Sequence, residues 1–539
     1  MKQLVSALTP LIFLAVIQTG LSAIAAEEIY FKYGPIKLSL SVDSLAQFSE
    51  EGKVNKELAF YLGYLSESQQ QQFQNILKLR LPISASRLYP ILRSYEGEMC
   101  LNYFGEFIQI PGGRNGMGAI RAALVQAAAD PEGANLVNVL KKFPTDIQLD
   151  IQKLLSAIKT QSAQRRETKP FLKFLRSFND PRAIPSRRYA GRKKDLRQPG
   201  AFTYTQQTLE FNDPSRQRKI PVDLYLPQTQ DQTPLPLIIV SNGFGVPRNQ
   251  GNTSVAHHLA SYGFAVIIPD HPGSSRQQQI AFLQGRAGRE MIKAKEFIDR
   301  PLDISFILDQ LDEMTFSRLK PKFNLDSVGI FGHSYGTPAV FSLAGGKISP
   351  ASLENKCKLP LNLTNISLVM QCSATRLVER SQSLKDQRIK AIFTLTPFNS
   401  VLFGEAGLKP IQIPSFIVGY GNDIFTPFHA EQLPAFNWLS QSRRYLALIQ
   451  GVEHLKFNLD SLTQGDSSEA NLINEIMQGV PDKVKGYVRT LSVAFFSAYL
   501  LDKSQFQYYL QAPYVRAIAE KDFPIQLMQL DTNETLDLK

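Results

Sequence analysis

Ser327-Val328-Gly329-Ile330-Phe331-Gly332-His333-Ser334-Tyr335-Gly336 is the stretch on which the fold turns. Its first half is a β-type apolar run, its second half matches G-x-S-x-G, and Ser334–Leu343 is compatible with a helix. A strand that turns sharply into a helix at a serine is a nucleophile elbow. Glycines two residues to either side allow the tight turn and the close approach of neighbouring chains. The hydroxyl is then presented at a helix N-terminus, where the dipole favours developing negative charge.

Working outward from this stretch, short β-type runs alternate with helical ones from about residue 201, which signals an α/β architecture. Strands are expected near Thr203–Phe211, Ile220–Leu226, Leu235–Val240, Phe264–Pro269, Ser327–Phe331, Ala391–Leu395, Ser415–Tyr420 and Tyr445–Ile449, eight in all. The last six are nearly continuous apolar runs, as parallel strands covered on both faces require. Helices are expected at Thr253–Ser261, Pro301–Met314, Ser334–Leu343 and Pro427–Leu439, with Pro301 and Pro427 in first turns. An apolar helix follows at Val484–Leu501. Two segments stand outside the pattern, 276–297 and 346–388; each reads either as a lid over the site or as a surface excursion. The domain therefore runs over 201–515, with 516–539 as a tail.

A serine is a poor nucleophile until a base takes its proton. Of the six histidines, only His429 and His454 follow Ser334, and the chain order Ser, acid, His is the one expected when the serine sits in such an elbow. His429 falls inside an expected helix. His454 follows the last strand, on a loop at the C-terminal edge where sites of open sheets form. Asp423 follows Ser415–Tyr420 and reaches the same edge. It is the candidate acid, in preference to Asp386 in the insert and to Glu453, which is adjacent to His454. The oxyanion donors are expected to be the backbone N–H of Tyr335 and, from the loop Ser241-Asn242-Gly243-Phe244-Gly245, that of Phe244. The set Ser334, His454 and Asp423 needs no metal or organic cofactor.

Ile238–Gly245, Phe331–Gly336, Phe416–Pro427 and Leu448–Phe457 together resemble exported hydrolases of the platelet-activating factor acetylhydrolase, dienelactone hydrolase and cutinase-like polyester hydrolase group. The likeness covers roughly residues 201–500. It implies the α/β-hydrolase fold, a mostly parallel eight-stranded sheet with helices on both faces, and cleavage of carboxylic esters. Two departures stand out. Asn242 occupies a position where many members carry His. Thr394-Leu395-Thr396-Pro397 holds no carboxylate, although the acetylhydrolases place their acid after that strand. Residues 27–160 read as a small, mainly helical domain. Ile36–Val42 is an expected short strand, Asp43 and Ser44 offer helix caps, and Ala119–Ala129 and Ile147–Ile158 have helical spacing. This part resembles the uncharacterised N-terminal domain fused to such hydrolases in cyanobacteria, which implies no activity for it.

Composition is that of a globular protein, 43% hydrophobic and 20% charged, so a chain of 539 residues can bury a core without staples. Residues 1–26 read as a signal peptide: Lys2, an apolar run Leu4–Ile17, and Ala23-Ile24-Ala25 as a small-x-small site. Export to a periplasm, a lumen or the medium follows as an expectation. Among Cys100, Cys357 and Cys372, the last two lie close together in an irregular stretch and are the expected disulfide pair. No CxxC or HExxH spacing points to a metal. The net charge of +11 concentrates between Arg165 and Arg197, where twelve Lys and Arg face Glu167, Asp180 and Asp195. With Pro181, Pro185 and Pro199, residues 161–200 read as a solvated basic linker, or as a segment drawn to an anionic membrane surface. No motif accompanies it that would suggest nucleic acid. Two functional readings result: an esterase acting on lipid or small acyl esters, and a non-catalytic envelope or membrane-surface binding protein that retained the fold.

Overall fold

The computed structural model describes residues 25–81, 83–157, 159, 194–231, 233–315, 323–358, 361, 365–378, 383–454 and 480–534. The expected signal peptide, apart from its last two residues, and most of the expected basic linker lie outside the described residues. The described chain forms two compact units, one of residues 25–89 and 101–155, the other of residues 90–100 and the chain beyond 156.

The first unit combines helices with strands. The helices Val42–Glu51, Lys56–Leu62, Glu67–Lys78, Met117–Ala129 and Leu136–Lys141, with parts of Ala85–Arg93 and Tyr95–Gly105, accompany a five-stranded sheet. Glu28–Tyr33 pairs antiparallel with Ile36–Ser41 and parallel with Ile147–Asp150. The helix expected to begin at Ile147 therefore begins as a strand. Ile147 and Leu149 alternate with polar neighbours, and a partner strand distant in sequence decides between the two periods. Ser41, rather than Asp43 or Ser44, caps the first helix, accepting from the Ser44 N–H. Ile29, Leu45, Phe48, Leu58 and Ile147 centre its core.

In the second unit we number the strands of the main sheet β1 (Tyr204–Asp213), β2 (Arg218–Pro227), β3 (Leu235–Ser241), β4 (Ala265–Pro269), β5 (Phe323–His333), β6 (Ile389–Leu395), β7 (Ser415–Tyr420), β8 (Arg444–Ile449) and β9 (Ile525–Leu530). Their spatial order is β9-β8-β7-β6-β5-β3-β4-β2-β1. β3 to β8 are parallel; β1–β2, β2–β4 and β8–β9 pair antiparallel. The sheet thus has nine strands and not eight. The additional one lies in the segment read as a tail, where Ile525-Gln526-Leu527-Met528-Gln529-Leu530 covers the open edge of β8. A short alternating run carries little signal until an unpaired edge claims it.

The helices that frame the sheet and the site are α1 (Thr253–Ser261), α2 (Arg276–Leu283), α3 (Glu296–Thr315), α4 (Thr337–Leu343), α5 (Pro350–Lys356), α6 (Ser367–Ser373), α7 (Gln432–Trp438) and α8 (Asp482–Tyr499); Gly404–Leu408 and Ala512–Ala517 are shorter ones. α1 and α8 bury Val255, Leu259, Tyr487, Leu491 and Phe495 against one face of the sheet. α3, α4 and α7 bury Ile304, Leu308, Val340, Phe341 and Phe436 against the other. α3 starts before Pro301, which lies within the helix. α7 starts later than expected, so His429 sits in a turn.

The two segments outside the pattern differ. Residues 276–297 supply α2 and the start of α3. The insert 346–388 holds α5 and α6, joined by a disulfide between Cys357 and Cys372. It is also anchored at the buried Glu431 carboxylate. That group accepts from Asn365 Nδ2, Ser367 Oγ and Gln371 Nε2, and from the Asn399 and Ser400 amides. Gln371 Oε1 in turn accepts from the Val401 and Leu402 amides. A carboxylate satisfied by so many donors ties residues 365–373 to the sheet side of the fold.

Candidate active site

β5 ends at His333, and the chain turns at once into a helical turn over Ser334–Gly336 and then α4. Ser334 has φ +50°, a left-handed conformation that costs a non-glycine residue of order 1–3 kcal/mol and that clusters at functional sites. Gly336 makes the turn feasible: a Cβ there would lie 2.1 Å from the Ser241 carbonyl oxygen, at the end of β3. At Gly332 a Cβ would lie 2.5 Å from Val340 Cγ2. The two glycines let the elbow press against β3 and α4.

Three loops meet at this edge because their strands are in register: His333 is level with Leu395, Leu395 with Val418, and Tyr420 with Ile449. The loops after β7 and β8 are bonded to one another, Gly421 N–H to Ile449 O at 2.8 Å and Asn422 N–H to Val452 O at 3.1 Å. This brings Asp423 to His454, and His454 to Ser334. The distances are 2.8 Å from Asp423 Oδ2 to His454 Nδ1 and 3.0 Å from His454 Nε2 to Ser334 Oγ. The buried Asp423 carboxylate also accepts from the amides of Phe425 and Thr426, both at 2.8 Å, and from Thr426 Oγ1 at 2.6 Å. An ionised carboxylate only accepts, so Nδ1 of His454 carries the proton and Nε2 is left to face the hydroxyl. The imidazole lies near-parallel to the rings of Phe425 and His333, with centroids 5.5 and 5.8 Å away. Burial, and next the neighbouring His454, push the His333 pKa down to about 3, so that ring is neutral at ordinary pH.

Both expected oxyanion donors flank the serine. The Tyr335 amide belongs to the first turn of a helix, where N–H groups have no intrahelical acceptor. The Phe244 amide has no acceptor among the described residues. Its loop passes close to the elbow: a Cβ on Gly243 would lie 3.6 Å from Ser334 Cβ, and the Phe244 ring packs edge-on against Tyr335 at 5.4 Å.

The structure adds a buried ionic cluster under this loop that the sequence did not disclose. Glu296, Asp299, Arg300 and Asp303, all on α3, point into the protein and meet Arg216, Arg218 and His271. Their spacing of three, four and seven is that of one helix face, and charges in that pattern read as a solvent face. Within the cluster, Asp303 Oδ2 lies 2.9 Å from His271 Nδ1, and His271 Nε2 lies 3.3 Å from Ser241 Oγ. This second Ser–His–Asp row is fully buried, and its aspartate is shared with Arg218 at 2.6 Å. Burial pushes the His271 pKa down. Buried and paired in this way, the row braces the end of β3 against α3. Among the described residues no cluster of three His, Cys, Asp or Glu is arranged to hold a metal ion.

A family model described as an alpha/beta hydrolase of unknown function (DUF1400) matches residues 25–150. The match covers most of the first unit together with residues 90–100 of the second, and it names no reaction. No curated protein matches the chain. With the nine-stranded, mostly parallel sheet, the match supports an alpha/beta hydrolase in the broad sense.

Proposed function

We propose that the protein is an exported serine hydrolase of carboxylic esters, and that it belongs with the platelet-activating factor acetylhydrolase, dienelactone hydrolase and polyester hydrolase group. The observation that carries the reading is the unbroken row Asp423–His454–Ser334, at 2.8 and 3.0 Å, on one edge of the sheet. In this mechanism Ser334 Oγ attacks the ester carbonyl as His454 Nε2 takes its proton. The Tyr335 and Phe244 amides hold the oxyanion, and Asp423 stabilises the imidazolium. The alcohol departs with the proton from His454, leaving an acyl-serine, and water activated by the same imidazole releases the acid.

A cavity of about 310 Å³ adjoins the site, walled by Val255, Leu395, Val480 and Val488 together with His333, Tyr420, Asn252, Ser254 and Lys485. Its lining offers apolar side chains for an acyl or alkyl group beside polar ones, and its volume suits about ten water-sized groups. Lipid esters and small acyl esters both fit that description. Export and attraction of the 165–197 segment to an anionic membrane surface complete the proposal. Among the described residues no helix is long and apolar enough to cross a membrane.

The test is turnover of p-nitrophenyl esters of graded chain length, together with labelling by a fluorophosphonate. Expected are labelling at Ser334, rates that decline once the acyl chain outgrows the cavity, and loss of both activities in a folded Ser334→Ala variant. A folded wild-type protein that neither labels nor hydrolyses any ester would leave the scaffold reading in its place.

A further inference from the structure

We propose that Arg300 is a positioning residue that holds the two halves of the oxyanion hole in register; this rests on the reading of Ser334 as nucleophile. Arg300 lies on α3, 3% exposed, behind the loop that follows β3. One of its nitrogens, Nη1, donates to the Asn242 carbonyl at 2.8 Å and to the Tyr335 carbonyl at 3.3 Å. The first belongs to the loop that carries Phe244, the second to the elbow. A single guanidinium thus bridges the two backbone segments whose amides face the reacting carbonyl.

The loop needs such a hold. Gly243 lacks the side chain that would restrict it, and Gly245 sits at φ +67°. Two bonds bracket the segment: Asn242 O is held by Arg300, and Gly245 N–H donates to Ser274 O at 2.9 Å. Only Gly243 and Phe244 lie between, and the Phe244 amide is the donor without an acceptor. Ser274 serves both ends, since its hydroxyl accepts from Arg300 Nε at 2.8 Å and donates to Glu296 at 2.7 Å. The Tyr335 ring lies 4.7 Å from the guanidinium carbon, which fixes the plane of the fork.

An arginine is suited to this place and a lysine is not. The acceptors are two carbonyls and a hydroxyl spread around a plane, and only the guanidinium presents several N–H groups in fixed directions. The nearest carboxylate, Glu296, is 3.9 Å away, so the charge is spent on backbone and hydroxyl oxygens rather than on a close ion pair. A hydrogen-bonded cation kept out of water behind an oxyanion loop rigidifies the donors before substrate arrives, which is how preorganised donors become effective.

The experiment compares an ester with its thionoester in wild type, Arg300→Lys and Ser274→Ala. Sulfur is a weak hydrogen-bond acceptor, so the ester-to-thionoester rate ratio reads the quality of the oxyanion hole. Removing a donor outright costs about 10²–10³ in kcat. Arg300→Lys is expected to lose about 10–100-fold in kcat with little change in KM, and its ester-to-thionoester ratio is expected to fall by a similar factor. Ser274→Ala, which leaves the charge in place, is expected to show the same pattern more weakly. It carries the test if Arg300→Lys does not fold. A folded variant with unchanged kcat, or with lower kcat but an unchanged ratio, overturns the assignment. Wild type must first label and turn over ester; failure there removes the Ser334 reading and this one with it, whereas failure in the variants alone removes only this one.

Discussion

Asp423 shows how much a single side chain must satisfy here. It holds the histidine through one oxygen and accepts three further hydrogen bonds from its own loop, so its orientation is set independently of His454. Replacing it by asparagine keeps the shape but allows the amide to donate toward Nδ1, which favours the wrong tautomer of His454. In a protease triad that change lowers kcat about 10⁴-fold. Asp423→Asn is expected to lose about 10³–10⁴-fold in kcat for a p-nitrophenyl ester with an unchanged melting temperature; a loss under tenfold would remove Asp423 from the proposed machinery. Of the residues in the row, Ser334, His454 and Asp423 could each be picked from sequence because each follows a strand by a few residues. Arg300 could not. Nothing in its local pattern distinguishes an inward-facing charge from a solvated one, since that depends on what the rest of the chain lays over it.

At the scale of elements, the elbow is a strand and a helix joined through backbone contact. Gly336 touches the end of β3 so closely that even a methyl group has no room beside the Ser241 carbonyl. Overpacking of this kind costs typically about 1–3 kcal/mol, and here the element that would shift carries Ser334. Gly336→Ala is therefore expected to lower both the urea midpoint and the rate of fluorophosphonate labelling at Ser334, the labelling by more than stability alone explains. Normal labelling in a destabilised but folded variant would separate the turn from the chemistry. The insert 346–388 teaches a complementary lesson. From sequence it could equally be a cover or an excursion. The fold ties its residues 365–373 down through Glu431 and joins its two helices through Cys357 and Cys372. Only proximity to α7, far along the chain, made the tie through Glu431 visible.

For the molecule as a whole, stability should depend on pH through histidines folded in their neutral form. His258 is buried in α1, and its Nε2–H donates to the Leu196 carbonyl at 2.8 Å. Burial pushes its pKa down to about 4. The folded state then binds fewer protons than the unfolded state between about pH 4 and the ordinary histidine value, so this contribution is complete above about pH 6.5 and is lost as pH falls toward 4. It amounts to a loss on the order of 2 kcal/mol between pH 7 and pH 4.5. His258→Gln keeps a donor for Leu196 without a titrating group. Its urea-unfolding free energy is expected to fall less than that of wild type over this interval; parallel pH profiles would show that His258 titrates normally.

What the amino-acid sequence determined by itself was local and periodic. Apolar runs in β3 to β8 marked the parallel strands, the glycines around Ser334 marked the turn, and the positions of Asp423 and His454 after their strands put both on one edge. These signals are contained in a few consecutive residues, because strand period and turn sterics act over that range. Only tertiary structure decided that Ile147–Asp150 is a strand, that Ile525–Leu530 closes the sheet at β8, and that the charges of α3 point inward beneath the loop that follows β3. Each of these depends on an edge, a partner or a cover supplied by chain far away in sequence, and burial of that kind has no period to read.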